Sequence, residues 1–212
     1  MPAELDSART LVLAFAATDY AERAEVWDEL GRAFPASHRL GCSSAGEILG
    51  QAVAEGSLVL AVVRFEHATV TSTAAPIQAV EVSRSTGGKI ARVLAPHAPK
   101  LVLVVSDGLH VNGTDLVRGL AEGLPAGTAI AGGLAGDGAH FGRTWTLVDG
   151  DVESIDERVL PLLDGISTSA SLASAVVALG ISYRAAWGLL RDYERKLGAP
   201  LVLLERGRGA SL

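Results

Sequence analysis

Over its first 150 residues the chain alternates apolar runs of strand length with amphipathic helical stretches, and from residue 155 that alternation stops. Thr10–Ala16 and Leu101–Val105 are short, nearly unbroken apolar runs bounded by turn residues, the pattern of buried strands. Thr128–Ala131 and Thr144–Val148 add two more, and Leu58–Val63 is expected to pair with Ala68–Ser72 as a hairpin across Arg64–His67. Between them Val26, Trp27, Leu30 and Phe34 recur at helical spacing within Asp19–Phe34. A helix is also expected over Gly87–Leu94. Another spans Asn112–Glu122, with Leu116, Val117 and Leu120 inward and Gly123 and Pro125 as its stop. This alternation predicts an α/β domain over residues 1–150 rather than an all-β barrel.

Asp149–Glu153, short and acidic, reads as a joint to a small, mainly α domain over residues 154–212. Helices are expected over Ser154–Leu163, over Ser169–Leu179 with Ser169 as N-cap, and over Tyr183–Leu197 with Ser182 as cap. In the third helix Ala186, Leu190, Tyr193 and Leu197 share one face, and Tyr183, Arg184, Trp187 and Arg191 share the other. Small Ala175, Gly180 at the turn and Ile181 after it let the second and third helices cross closely, the geometry that sets a recognition helix into a groove.

Charge follows the same division. Residues 1–150 hold 11 basic and 16 acidic side chains, net −5, within a chain of net −6. Residues 183–212 hold six basic (Arg184, Arg191, Arg195, Lys196, Arg206, Arg208) and three acidic (Asp192, Glu194, Glu205), net +3. An acidic body with a basic end fits phosphate contact by one segment only. The N-terminal residues carry Glu4 and Asp6 rather than a positive front, so no secretory signal is read. No apolar run reaches the ~20 residues of a membrane span. A lone cysteine, Cys42, excludes a disulfide framework and a cysteine-based zinc site, and a cytoplasmic protein is expected.

Gly180-Ile181-Ser182-Tyr183-Arg184-Ala185-Ala186-Trp187, followed by Leu197-Gly198-Ala199-Pro200-Leu201 and Glu205-Arg206, resembles the winged helix-turn-helix of ModE and LysR-type bacterial regulators over about 155–212. The resemblance implies a domain for double-stranded DNA, with Ser182, Tyr183, Arg184 and Trp187 toward the groove, Arg191 near phosphate, and Arg206 and Arg208 on the wing. Val177 stands where that family usually has a charged residue, and Leu203-Leu204 lengthens the strand before the wing. The alternative is a plain three-helix bundle for protein contact.

Three glycine-rich segments punctuate the body: Gly41-Cys42-Ser43-Ser44-Ala45-Gly46-Glu47, Ser106-Asp107-Gly108, and Gly132-Gly133-Leu134-Ala135-Gly136-Asp137. None has the Gly-Lys-Ser/Thr of a phosphate-binding P-loop, nor a dinucleotide fingerprint in a strand-turn-helix setting. Glycines at strand ends permit close backbone approach and exposed N–H groups. With Thr10–Phe15 and Thr144–Gly150, these segments resemble the FIST N-terminal sensory domain over about 10–150. That resemblance implies an intracellular sensor of a small molecule, with Cys42, Ser43, Ser44, Gly46, Glu47, Asp107, Gly132, Gly133, Gly136 and Asp137 facing the ligand. A haem-binding subgroup ligates through histidine, which would put His140 or His110 in that role; no cofactor and no metal are expected here.

The fold expectation is therefore an α/β sensory domain followed by a small winged helix-turn-helix domain. The functional expectation is a one-component transcriptional regulator, a homodimer rather than an enzyme. Pairing is expected through Ile155, Val159 and Leu163 or through a bare sheet edge. Two alternatives differ in class: an enzyme using Cys42 as nucleophile beside a histidine, and a signalling fragment whose sensor half is inert.

Overall fold

The computed structural model describes residues 3–77, 79–138, 142–156, 159–169, 171–197, 201–205 and 209–211. The chain divides into two compact units, Met1–Ile155 and Asp156–Leu212. In chain order the first contains β1 (Thr10–Ala16), α1 (Ala24–Ala33), β2 (His38–Ser43), β3 (Glu47–Leu49), β4 (Ala52–Ala54), β5 (Leu58–Arg64), α2 (Ser83–Leu94), β6 (Leu101–Ser106), α3 (Gly113–Gly123), β7 (Ala129–Leu134) and β8 (Arg143–Val148). It closes with β9 (Asp151–Asp156), which runs through the unit boundary.

Five strands form one sheet in the order β5-β1-β2-β8-β9. β1 is flanked on both sides, parallel to β2 from Leu11↔His38 to Ala16↔Ser43 and antiparallel to β5 from Thr10↔Arg64 to Ala16↔Leu58. A strand so placed is expected to be apolar throughout, and from Leu11 on β1 is. α1 carries the crossover from β1 to β2 and buries Trp27 and Leu30, with Phe34 just beyond its end. These meet Val12, Ala14, Trp145 and Leu147 in one core. The Trp27 and Trp145 rings lie edge to face, 5.0 Å apart, and both indoles donate to backbone carbonyls, those of Tyr20 and Ala17. Two large aromatics are thus buried without an orphaned donor.

The rest of the unit is built on β6 and β7, a parallel pair from Leu101↔Ala129 to Ser106↔Leu134. α3 crosses between them. The Asn112 side chain caps α3 by accepting from the Asp115 N–H at 3.1 Å. α2 and α3 pack backbone to backbone. A Cβ on Gly87 would lie 2.2 Å from the Leu116 carbonyl oxygen, and one on Gly119 would lie 2.0 Å from that of Arg84. Leu94, Val102, Leu116 and Leu120 fill the core beneath.

Three expectations for this unit need correction. Residues 68–72 form no strand, and β5 pairs with β1 rather than across a local turn. The helix expected over Asp19–Phe34 is broken at Arg23 into a 3-10 turn, Thr18–Glu22, and α1. Asp149–Glu153 is no joint: Asp149 (φ 50) and Gly150 (φ 117) turn β8 back into β9, the edge strand of the sheet.

The second unit contains α4 (Val159–Ser169), α5 (Leu172–Ala178), α6 (Tyr183–Leu197) and the antiparallel pair β10 (Leu203–Glu205) and β11 (Gly209–Ser211). α4 begins five residues after the expected Ser154, and α5 is capped by Ser171, which accepts from the Ser174 N–H, rather than by Ser169. Gly180 takes a left-handed φ of 64 at the turn after α5, and the Ser182 Oγ caps α6 by accepting from the Ala185 N–H at 3.1 Å. The α5 axis and the first part of α6 meet at 109°. Val159, Leu162, Ile166, Leu172, Val176, Ala186, Leu189 and Leu190 make the core. A Cβ on Gly165 would lie 3.0 Å from that of Ala175, so the small pair lets α4 and α5 touch.

Candidate functional site

The three glycine-rich segments do come together. β2, β6 and β7 end at Ser43, Ser106 and Leu134. Just past those ends the Gly136 N–H donates to the Ser43 carbonyl at 2.9 Å, and the Ala135 N–H donates to that of Ser106 at 2.8 Å. A Cβ on Gly108 would lie 1.9 Å from the Ala135 carbonyl oxygen, so glycine there is required by the approach of the two backbones.

The side chains read as ligand-facing are spent inside the protein. Glu47 is only 2% exposed; its carboxylate accepts from the Ser44 hydroxyl at 2.7 Å, the Ser57 hydroxyl at 2.8 Å and the Ser57 N–H at 3.1 Å. It ties Ser44, before the β3–β4 hairpin, to Ser57 after it. Asp107 accepts from the Leu109 and His110 N–H groups and from the Thr144 hydroxyl, with His110 Nδ1 3.4 Å away. Asp137 accepts from the Gly142 and Arg143 N–H groups at 2.6 and 2.9 Å. Each carboxylate here satisfies loop backbone that nothing else would satisfy. Ser43 is buried and accepts from the Trp145 N–H at 3.2 Å, while Ser44, Gly46 and Gly136 sit half-buried at the rim. Cys42 is 6% exposed, and burial pushes its thiol up from about 9 to about 11. That is the reverse of the shift that activates a thiolate nucleophile. His140 lies outside the described residues, which include no group of three or more His, Cys, Asp or Glu placed to hold a metal ion.

Open space lies instead beside β7. A cleft of about 310 Å3 lies between the amino-terminal half of α3 and the β6-β7 pair, along the carboxyl half of β6 and nearly the whole of β7. Val104, Leu116 and Ile130 line it, with Gly113 leaving room where a side chain would otherwise stand, whereas a Cβ on Gly132 would strike the Val104 carbonyl oxygen at 1.7 Å. Gly132 and Gly133 are the two expected ligand residues that the cleft includes; the rest of that set lies elsewhere. Ser106, Gly113 and Leu134 were not singled out as ligand residues by the sequence reading. The available signal was Gly113 opening a helix directly after a parallel strand and its turn.

In the second unit, Ser182, Tyr183, Arg184 and Arg191 are exposed on one side of α6. Trp187 is half-buried against the unit's own core, and its ring meets that of Tyr183 edge to face at 6.3 Å. The Arg191 guanidinium lies 5.9 Å from the centre of the Trp187 ring. Arg206 and Arg208 lie outside the described residues. Val159 is buried in the unit's core and Leu163 is half-buried against it; the Ile155 side chain is not described. Among the described residues no single helix is long and apolar enough to cross a membrane; the bent pair of α5 and the start of α6 has the length and composition together.

Comparison with curated proteins and with solved structures gave no match. The model of the FIST N domain matches residues 10–183, which takes in the whole strand-end assembly and, beyond it, α4 and α5. The chain belongs to the FIST N domain family, a mixed α/β sensory domain of signalling proteins.

Proposed function

We propose that the chain is a one-component transcriptional regulator in which the FIST sensory unit controls a winged helix-turn-helix that binds double-stranded DNA. The observation that carries this reading is the 109° meeting of α5 and α6 across a turn with Gly180 at φ 64, the angle and turn chemistry of a helix-turn-helix. α6 then presents Tyr183, Arg184 and Arg191 together, and a short antiparallel β pair follows it where a wing belongs. The family match ends at Tyr183 and leaves nearly all of α6 and that β pair outside it. Function as a homodimer is part of the proposal, because a single helix reads only a few base pairs.

Selection of bound sequences from a random DNA pool tests it. Enrichment of a two-half-site consensus is the expected result. Arg184→Ala should relax the consensus at one position, at about 1–3 kcal/mol, and Arg191→Ala should weaken all sequences alike and lower the salt dependence. Failure to enrich any sequence at low salt removes the proposal. The enzyme alternative has little to support it, since the Cys42 thiol is buried and shifted away from thiolate formation.

A further inference from the structure

The cleft beside β7 differs in chemistry from the acidic, polar rim that the glycine-rich segments advertise. Val104, Leu116, Val117, Ile130 and Leu134 give it apolar walls, and Val117 and Leu134 form open lips, 42% and 47% exposed. Apolar side chains of that size are ordinarily withdrawn from water, about 25 cal/mol for each Å2, so an apolar cleft open to solvent favours an apolar occupant. Among the described residues Ser106 supplies the only polar side chain in the lining, and it is itself 9% exposed. Its hydroxyl has one hydrogen bond, a contact of 3.5 Å to the Asp107 carbonyl at the outer limit of such bonds. With its single proton in that long contact, the buried hydroxyl keeps its acceptor lone pairs for a partner in the cleft. The amino terminus of α3 does not make the cleft an anion site, because the Asn112 side chain already occupies the cap.

Resting on the reading of the first unit as the sensing half, we propose that this cleft is the sensor's ligand site. Its ligand is a compact, mainly apolar molecule with a single hydrogen-bonding end that meets the Ser106 hydroxyl. Its volume of about 310 Å3 suits a ring or short branched chain. Position agrees with the assignment: the cleft runs along two parallel strands joined through a helix and reaches their carboxyl ends, Ser106 and Leu134, the end at which α/β folds place ligands.

The test uses the full chain with three probes, 2-phenylethanol, ethylbenzene and L-glutamate, titrated by saturation-transfer NMR. 2-Phenylethanol should bind about fivefold tighter than ethylbenzene, the worth of one net hydrogen bond, and L-glutamate should not compete. Ser106→Ala should erase the difference between the first two. A Cβ at Gly113 would rest in ordinary contact, 3.5–3.7 Å, with the Leu134 side chain, so Gly113→Leu starts from an unclashing Cβ and occupies the cleft. That variant should weaken both aromatic probes at least tenfold without lowering the melting temperature of the free protein. Equal probe binding by Gly113→Leu and the parent overturns the assignment, as do glutamate competition and absence of binding by every probe. A stable dimer with β7 protected from hydrogen exchange also overturns it, because a second copy would then fill the cleft. If Gly113→Leu does not fold, the loss or persistence of the alcohol preference in Ser106→Ala decides alone. DNA binding by the same samples without probe is read in parallel. Its presence with no probe binding sinks only the ligand site, and its absence with probe binding sinks only the regulator.

Discussion

Replacing Gly87 by alanine puts a methyl group where the structure has a helix backbone. The added Cβ would stand 2.2 Å from the Leu116 carbonyl oxygen, 2.9 Å from the Leu120 nitrogen and 3.2 Å from the Gly119 carbonyl carbon. Against an ordinary contact of about 3.4 Å the first is short by about 1.2 Å, and no flexible side chain is there to yield. α2 and α3 must therefore separate by roughly 1 Å, and dispersion along the seam falls by a quarter to a half. Overpacking of this kind costs about 3 kcal/mol at its upper end, and alanine's better helix propensity returns about 1. A net loss of about 2 kcal/mol is expected. The neighbouring Gly88→Ala is the control: its Cβ would lie 3.9 Å from the Gly119 oxygen, so only the propensity gain remains, about 1 kcal/mol of stabilisation. Hydrogen exchange read on peptides covering α2 and α3 isolates this seam from unfolding of the second unit. Exchange should be about 30-fold faster in Gly87→Ala and about fivefold slower in Gly88→Ala. Shifts of the same sign in both variants would refute the reasoning.

Further outcomes follow from buried groups. The Cys42 thiol, raised from about 9 to about 11, is more acidic unfolded than folded. Its contribution to stability is complete below about pH 9 and declines as pH rises toward about 11, so Cys42→Ser should flatten that part of a stability–pH curve. Alkylation of native protein by iodoacetamide at pH 7.5 should be at least 100-fold slower than that of unfolded chain. Glu47→Ala leaves the Ser57 N–H and two serine hydroxyls without their acceptor; a loss of about 3 kcal/mol, measured by urea unfolding, is expected, and a loss below 1 would show that water replaces the carboxylate easily.

Much of the framework is legible along the chain because it rests on local pattern. Thr10–Ala16 and Leu101–Val105 announce strands through unbroken apolarity, and α6 runs over the expected Tyr183–Leu197 because Ser182 caps a clean helical repeat. The failures are long-range. β5 finds its partner in β1, with 41 residues between their facing ends, and no local turn signal encodes that choice. β9 is half charged, Asp151-Val152-Glu153-Ser154-Ile155-Asp156, as an edge strand can be, and so reads as a joint. The site was harder still. A carboxylate that satisfies loop backbone and one that awaits a ligand look the same in sequence, so the internal hydrogen bonds of Glu47, Asp107 and Asp137 were not legible there.

The order β5-β1-β2-β8-β9 also governs how the chain is made. β2 has β1 as a neighbour almost as soon as it is synthesised, but its other neighbour, β8, pairs through Leu40↔Val148 and Cys42↔Thr146, more than 100 residues later. At about 5–20 residues per second, a nascent chain spends roughly 5–20 s with that edge of β2 open and Trp145 not yet available to cover Trp27. Translation pauses placed before residue 143 would lengthen this interval, and recoding those codons for speed should reduce the share of protein lost to aggregation during synthesis, with no change in the finished fold.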